Sequence, residues 1–193
     1  PYIILKWAES KDGFIAPKNQ TEPFWMTSNK SKKLVHKWRS EEDSILVGRI
    51  TAEKDNPSLT VREVSGVNPI RLVIDKDLKL SNNLNLFNSE SKTIIFNKMK
   101  SDNSSKNNYI KINSNNMINN ILKELYKQKI QSVIIEGGTK TLQSFIEENI
   151  WDEARIFTTD KKLENGVKSP IIKGKKISEI EIDTDCLKII LND

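Results

Sequence analysis

The sequence predicts an α/β fold: a single domain with a mainly parallel central sheet, flanking helices and antiparallel edge strands at the C-terminal end. Three observations predict it. Short β-branched runs alternate with amphipathic helical stretches over most of the chain, the order that strand–helix–strand crossovers and parallel pairing require. At 131–144 the sequence QSVIIEGGTKTLQS passes from a buried strand, through two glycines, directly into a helix. Two strand-like runs then close the chain with no helix between them, so they pair antiparallel at one edge of the sheet. With 193 residues the chain suits one domain of ordinary to large size and can bury a substantial core.

The first strand, residues 2–8, reads YIILKWA; being mostly apolar, it belongs near the sheet centre. Asp12-Gly13 is a turn signal. A polar loop with Pro17 and Pro23 leads to Phe24-Trp25-Met26. Thr27 or Ser28 then caps a helix whose apolar stripe is Leu34, Val35 and Trp38. That stripe makes Trp38 a core residue and leaves His36 on the opposite, lysine-rich face, in solvent. Residues 44–48, SILVG, form the second strand. The connection 49–62 is long for a compact domain, and such loops are often functional. Residues 70–75 and 93–96 are the third and fourth strands, with Asp75 as a strand-end cap. Residues 97–116 are rich in Asn, Ser and Lys and read as an exposed, poorly ordered loop around a short strand at 109–112. An amphipathic helix spans 117–128, with Met117, Ile118, Ile121, Leu122, Leu125 and Tyr126 on one side. Val133-Ile134-Ile135 is the next strand. Thr139 then N-caps a helix carrying Leu142, Phe145 and Ile146 on one face. Residues 154–158 form a further strand, Glu164-Asn165-Gly166 a turn, and 186–191 the last strand, preceded by alternating Ile177, Ile180 and Ile182.

Composition narrows the function classes. A net charge of +5 favours anionic partners, but the lysines are dispersed, so a nucleic-acid interface is disfavoured. One cysteine, Cys186, rules out an internal disulfide and any cysteine metal cluster; it sits in an apolar run and reads as a buried strand thiol. One histidine excludes multi-histidine metal sites, so no metal is expected. No apolar run reaches the roughly 20 residues of a membrane span, and with no signal peptide a cytoplasmic setting is the default. The chain begins at Pro1 rather than Met and reads as a fragment or a processed chain.

Four places gather polar groups at strand ends: residues 6–13, 25–28, 48–62 and 136–144. In an open α/β sheet the ligand crevice lies outside the carboxyl ends of the strands, so all four face one cleft. Within the last of them, Gly137 and Gly138 allow a sharp turn and a close backbone approach. The following helix start offers free N–H groups to a phosphate, and Glu136 on the strand end can hold hydroxyls. Taken alone, the glycine pair fits an ordinary strand-to-helix turn equally well. Lys6, alone in an apolar strand, reads either as a site residue or as an edge residue in solvent.

Read in order, LKWAESKDG, FWMTS, the helix ending in Trp38-Arg39, SILVGRIT with DNPSLTVR, IRLVID and VIIEGGTKTLQSF resemble the reductase domain of the riboflavin-biosynthesis deaminase/reductase. That family is similar to dihydrofolate reductase in fold. The match runs from about Tyr2 to about Trp151 and is looser after Ala154. The resemblance implies a reaction in which NADPH passes hydride to the ribose C1′ of 5-amino-6-(5-phosphoribosylamino)uracil, a ribosylamino-pyrimidine phosphate, giving the ribitylamino product. It implies that Ala8, Trp25, Thr51, Asp55 and the turn of Gly137, Gly138, Thr139, Lys140, Thr141 and Leu142 hold NADPH. Arg39, Leu59, Arg62 and Glu136 match positions that contact substrate, and Asn56 of the same DNP motif is grouped with them. Lys6 matches a lysine near the reacting ribose. A guanidinium suits the substrate phosphate, Trp25 suits a flat ring, and Lys6 or Glu136 suits the proton that hydride transfer to an imine-like carbon demands.

Departures from the pattern matter too. Pro23 stands where many relatives have a substrate-touching serine. Lys76 replaces a small polar residue near the cofactor, where it reaches the 2′-phosphate of NADPH or is solvated. No H-x-E and no P-C-x-x-C occurs, so these residues contain no zinc deaminase. The resemblance implies a deaminase domain N-terminal to them in a longer chain, and a homodimer. The competing readings are a pterin reductase similar to dihydrofolate reductase, a nucleotide-binding module without catalysis and a nucleic-acid binder. Paired arginines with Glu136 favour a phosphorylated ribose over a pterin.

Overall fold

The strands are apolar on both sides because helices cover both faces of the sheet they form. The structure, a computed structural model, describes residues 1–19, 24–103 and 107–193. In chain order the elements are β1 (Tyr2–Glu9), β2 (Phe14–Pro17), α1 (Asn29–Glu41), β3 (Ser44–Gly48), α2 (Arg49–Asp55), β4 (Ile70–Ile74), a 3₁₀ turn (Asn85–Phe87), β5 (Thr93–Asn97), β6 (Asn108–Lys111), α3 (Met117–Lys127), β7 (Ser132–Gly137), α4 (Thr139–Glu147), β8 (Glu153–Thr159), β9 (Gly166–Lys168), β10 (Lys175–Ile182) and β11 (Asp185–Leu191).

One nine-stranded sheet has the order β10-β11-β8-β1-β7-β3-β4-β5-β6. Pairing is parallel from β8 through to β6. At the other edge β11 joins β8, and β10 joins β11, antiparallel. This is the mainly parallel sheet with antiparallel C-terminal strands that the chain predicts. Alternation along each strand divides the core in two. Ile3, Leu5, Leu46, Leu72, Ile94, Val133 and Ile135 pack under α3 and α4, against Ile118, Ile121, Leu125, Leu142 and Phe145. Ile4, Ile45, Val47, Val73, Ile95 and Ile134 pack under α1 and α2, against Val35, Trp38 and Ala52.

Helix α1 starts at Ser28, whose hydroxyl accepts the Ser31 N–H. Asp75 caps as expected, its carboxylate accepting the N–H groups of Lys79 and Leu80. Several elements differ from the sequence reading. The connection 49–62 begins as a helix, α2. Strands β2 and β9 pair in a separate two-stranded sheet. Gly138 caps α4, and Thr139 is its first residue, its hydroxyl donating to Lys168 O. Tyr126, near the end of α3, is 79% exposed, because it lies about 100° around the helix from the fully buried Leu125 and so off the face that meets the sheet. Cys186 is only half-buried, since β10 leaves its solvent side open. The short strand expected at 109–112 is present as β6, with Ile112 beyond it buried; residues 104–106 of the loop around it, like Pro23, lie outside the described residues.

Candidate functional site

Parallel register brings the site together. Leu5 of β1 pairs with Ile135 of β7, so Lys6 and Glu136, each one residue further on, leave neighbouring strands side by side. Both follow Ile4 and Ile134 by two residues and so face α1. Arg39, one turn beyond Val35 on the buried side of α1, reaches the same point. Its Nη2 donates to Glu136 Oε2 at 2.9 Å and to Oε1 at 3.2 Å, and its Nε donates to Oε1 at 3.3 Å. Lys6 Nζ lies 3.8 Å from Glu136 Oε1.

All three groups are nearly shielded from solvent, and this sets their charge. Burial pushes the Glu136 carboxyl up, but Arg39, Lys6 and the hydrogen bonds from Arg39 outweigh it and hold it at about 2. Lys6 moves the other way: burial lowers its ammonium, Arg39 lowers it further, and Glu136 only partly restores it. The carboxylate therefore has a permanent counter-ion in Arg39, and Lys6 is the member poised to give up a proton.

Around this triad the strand ends open into a cleft of about 960 Å³. Lys6, Ala8, Trp25, Arg39, Thr51, Asp55, Asn56, Leu59, Arg62, Lys76, Glu136, Gly138, Thr139, Lys140, Thr141 and Leu142 all line it. Of the residues singled out in the sequence, only Gly137 does not: it turns at φ +114 behind the lining. The Gly137–Gly138 peptide is cis. Leu59 and Leu142 are fully buried, so they shape the wall from the core. Trp25 is 48% exposed at the mouth, with Lys32 Nζ 5.5 Å from its ring centroid. The Asn56 carboxamide oxygen already accepts the Asn85 N–H at 2.7 Å, which fixes the loop.

One wall suits a dinucleotide phosphate. The first turn of α4 leaves the N–H groups of Thr139 and Lys140 without intrahelical acceptors. The start of α2 closes against it. A Cβ on Gly48 would meet Thr141 Oγ1 at 2.5 Å, and one on Gly138 would meet Thr51 Oγ1 at 3.2 Å. Two glycines thus let the two helix starts approach, and the lining fits an anionic cofactor there. Sequence reading misses the helix in 49–62 because RITAEKD buries a single residue, Ala52. It also misses Ile15, Ala16, Pro17 and Val167, which line the cleft from β2 and β9. Strands this short carry no readable alternation.

The two arginines divide the work that the sequence assigns to them jointly. Arg39 is buried and engaged by Glu136, so its fork is not open to a phosphate. Arg62 stands exposed at the rim, its Nη1 donating to Thr60 Oγ1 at 2.9 Å. His36 is the clearest correction. It is fully buried, and its Nδ1 accepts the Arg62 N–H at 3.0 Å. Lys33 and Lys37 beside it on α1 are exposed, but the segment carrying Arg62 and Glu63 lies across the imidazole and Lys32. Burial, Arg39 and Arg62 push its pKa down to about 4.

Among the described residues no three His, Cys, Asp or Glu side chains gather as metal ligands, and no helix is long and apolar enough to cross a membrane.

Residues 1–184 match the family described as the RibD C-terminal domain. The riboflavin biosynthesis protein RibD of Aquifex aeolicus is 34% identical over 173 residues, which cover 86% of this chain and 48% of that protein. The chain therefore spans about half the length of that relative. The crystal structure of a diaminohydroxyphosphoribosylaminopyrimidine deaminase/5-amino-6-(5-phosphoribosylamino)uracil reductase from Thermotoga maritima superposes with a TM-score of 0.88 at 26% identity, over 100% of this chain and 57% of that one. Dihydrofolate reductase from Enterococcus faecalis shares the fold, with a TM-score of 0.58 at 14% identity, over 100% of this chain and 97% of that one.

Proposed function

The chain belongs to the RibD C-terminal domain family, the pyrimidine reductases of riboflavin biosynthesis, and from that premise we propose that its cleft reduces the ribose of 5-amino-6-(5-phosphoribosylamino)uracil to the ribitylamino product at the expense of NADPH. The observation that carries this reading is the shielded Lys6–Glu136–Arg39 triad at the floor of the cleft, between an anion-binding helix start and an exposed arginine.

NADPH, when bound, supplies the hydride. Its phosphates suit the first turn of α4, and Lys76 at the rim suits its 2′-phosphate. Arg62 takes the substrate's 5′-phosphate. Glu136, ionised and fixed by Arg39, accepts hydrogen bonds from ribose hydroxyls and holds C1′ in line. As the ribose ring opens, the bond from C1′ to the ring oxygen breaks and the departing oxygen needs a proton; Lys6, already pressed to release one, gives it. The nitrogen lone pair forms the C=N bond, hydride then reaches C1′, and the balance is one hydride and one proton taken up. Holding both reactants in one cleft is the protein's main contribution. Ile177 and Ile180 on edge strand β10 are 52% and 51% exposed, which supports a homodimer, to be read by sedimentation.

Calorimetric titration with NADPH and NADH, followed by a reductase assay on the ribosylamino-pyrimidine phosphate, tests the reading. Tight NADPH binding with weak NADH binding and turnover of the pyrimidine support it. A protein that binds neither cofactor, or binds NADPH and leaves the pyrimidine unreduced, overturns it.

A further inference from the structure

Residues 59–63, of which Leu59 and Arg62 line the cleft, run beside α1 and are tied to that helix at three points. Arg39 Nη1 donates to Thr60 O at 3.4 Å. Lys32 Nζ pairs with Glu63 Oε1 at 2.8 Å. His36 Nδ1 accepts the Arg62 N–H at 3.0 Å. Lys32, His36 and Arg39 follow one another at helical spacing, so a single stripe of α1 carries all three ties. The middle tie is the unusual one. A fully buried imidazole whose Nε2 has no partner is costly, and here its hydrogen bonding goes to one backbone amide.

We infer that His36 is a positioning residue for Arg62: by accepting that amide it fixes the backbone from which the exposed guanidinium is held out over the cleft to meet the phosphate. The inference deepens the proposed function and rests on it for the identity of the anion. The guanidinium is steadied at its far end as well, by Thr60 Oγ1, so the Arg62 backbone and side chain are both set before any ligand arrives.

An Nδ1 acceptor means a neutral imidazole carrying its proton on Nε2. The charged groups facing it are Lys32 and Arg39 from its own helix, Arg62 and Glu63 from the segment packed over it, and Glu136 from β7. Burial and three cations outweigh the two carboxylates and keep the ring neutral. A proton on Nδ1 would set two donors against each other and release Arg62. Substrate capture through Arg62 therefore holds through the neutral range and fails in acid.

The test uses two substitutions and one spectroscopic readout. In His36→Asn the amide oxygen occupies nearly the place of Nδ1 and accepts without titrating. His36→Leu fills the space and accepts nothing. Losing one buried hydrogen bond that orients a charged group predicts a KM for the phosphorylated pyrimidine about tenfold higher in His36→Leu, with kcat and NADPH affinity close to wild type. His36→Asn restores KM and abolishes its rise in acid. Because the chain has one histidine, ¹⁵N NMR reads its tautomer without ambiguity: the proton is expected on Nε2, with no titration near pH 6.5. The same spectra should show the Arg62 amide shifted in His36→Leu and retained in His36→Asn. A proton on Nδ1, an unchanged KM in His36→Leu, or His36→Asn as impaired as His36→Leu each overturns the inference. A wild-type protein that reduces no pyrimidine yet shows the Nε2 tautomer and the Arg62 shift would sink the proposed function and leave the His36–Arg62 hold standing.

Discussion

Replacing Glu136 by glutamine is the sharpest test of the triad. The substitution keeps shape and removes one charge. Arg39 then stays buried with a neutral partner in place of its carboxylate, and Lys6 faces Arg39 with no negative charge between. Breaking a buried pair by removing one member costs about 3–5 kcal/mol; because the glutamine oxygen still accepts from Arg39, the lower end is expected, about 3 kcal/mol of unfolding free energy at pH 7. Acid adds a second signature. The folded-state pKa of Glu136 lies at about 2, below its ordinary 4.5. The unfolded chain thus takes up the proton first as pH falls, and the stabilisation is complete above 4.5 and lost on the way to 2. Wild type should lose about 3 kcal/mol across that window, which the variant never had. The pKa of His36 is lowered too, from 6.5 to about 4, so its contribution starts to disappear earlier on acidification, as pH falls below 6.5. Urea denaturation at several pH values, followed by tryptophan fluorescence, measures all of this. A variant within about 0.5 kcal/mol of wild type at pH 7, or one with the same acid profile, would refute the assignment of Glu136 as the buried anion of the site.

Lys6→Ala should cost about a hundredfold or more in kcat, the range of a lost general acid, while calorimetry finds NADPH affinity unchanged; unaltered turnover removes Lys6 from the mechanism. Arg71 is fully buried and donates to Thr93 Oγ1, Asn88 Oδ1 and the carbonyls of Ser58, Asn85, Asn88 and Ser91. Arg71→Leu strands those acceptors and should destabilise by about 3–5 kcal/mol in urea titrations, with the wall around Ser58 loosened. Gly48→Ala drives a methyl into Thr141 Oγ1 at 2.5 Å, so thermal denaturation should show a loss of about 1–3 kcal/mol together with weaker NADPH binding. Adding Thr141→Ala in the same chain should recover most of both, and a double variant no better than the single one would show that the helix starts do not meet there.

The strands were legible because they are buried on both faces. Residues 44–48, SILVG, offer no polar face at all, and β-branched runs bounded by turns are hard to read otherwise. The capped start of α1 and the glycine turn before α4 carry their own local chemistry. Where the chain gives only marginal local signals, the reading failed. RITAEKD in α2 has one buried residue, β2 and β9 are too short to show alternation, and Tyr126 sits at the side of an apolar stripe whose buried part is only Ile118, Ile121 and Leu125.

For the site, the sequence by itself determined which strand ends carry polar groups, since Lys6 and Glu136 interrupt apolar strand runs and are visible in one dimension. It did not determine who pairs with whom. That Arg39 clamps Glu136 while Arg62 stays exposed at the rim follows from the β1–β7 register and from α1 lying over it. That His36 is buried among lysines follows from residues 59–63 crossing its helix. Charge state and partnership are set by distance and desolvation, and both arise only when segments far apart in the chain are brought within a few ångströms of one another.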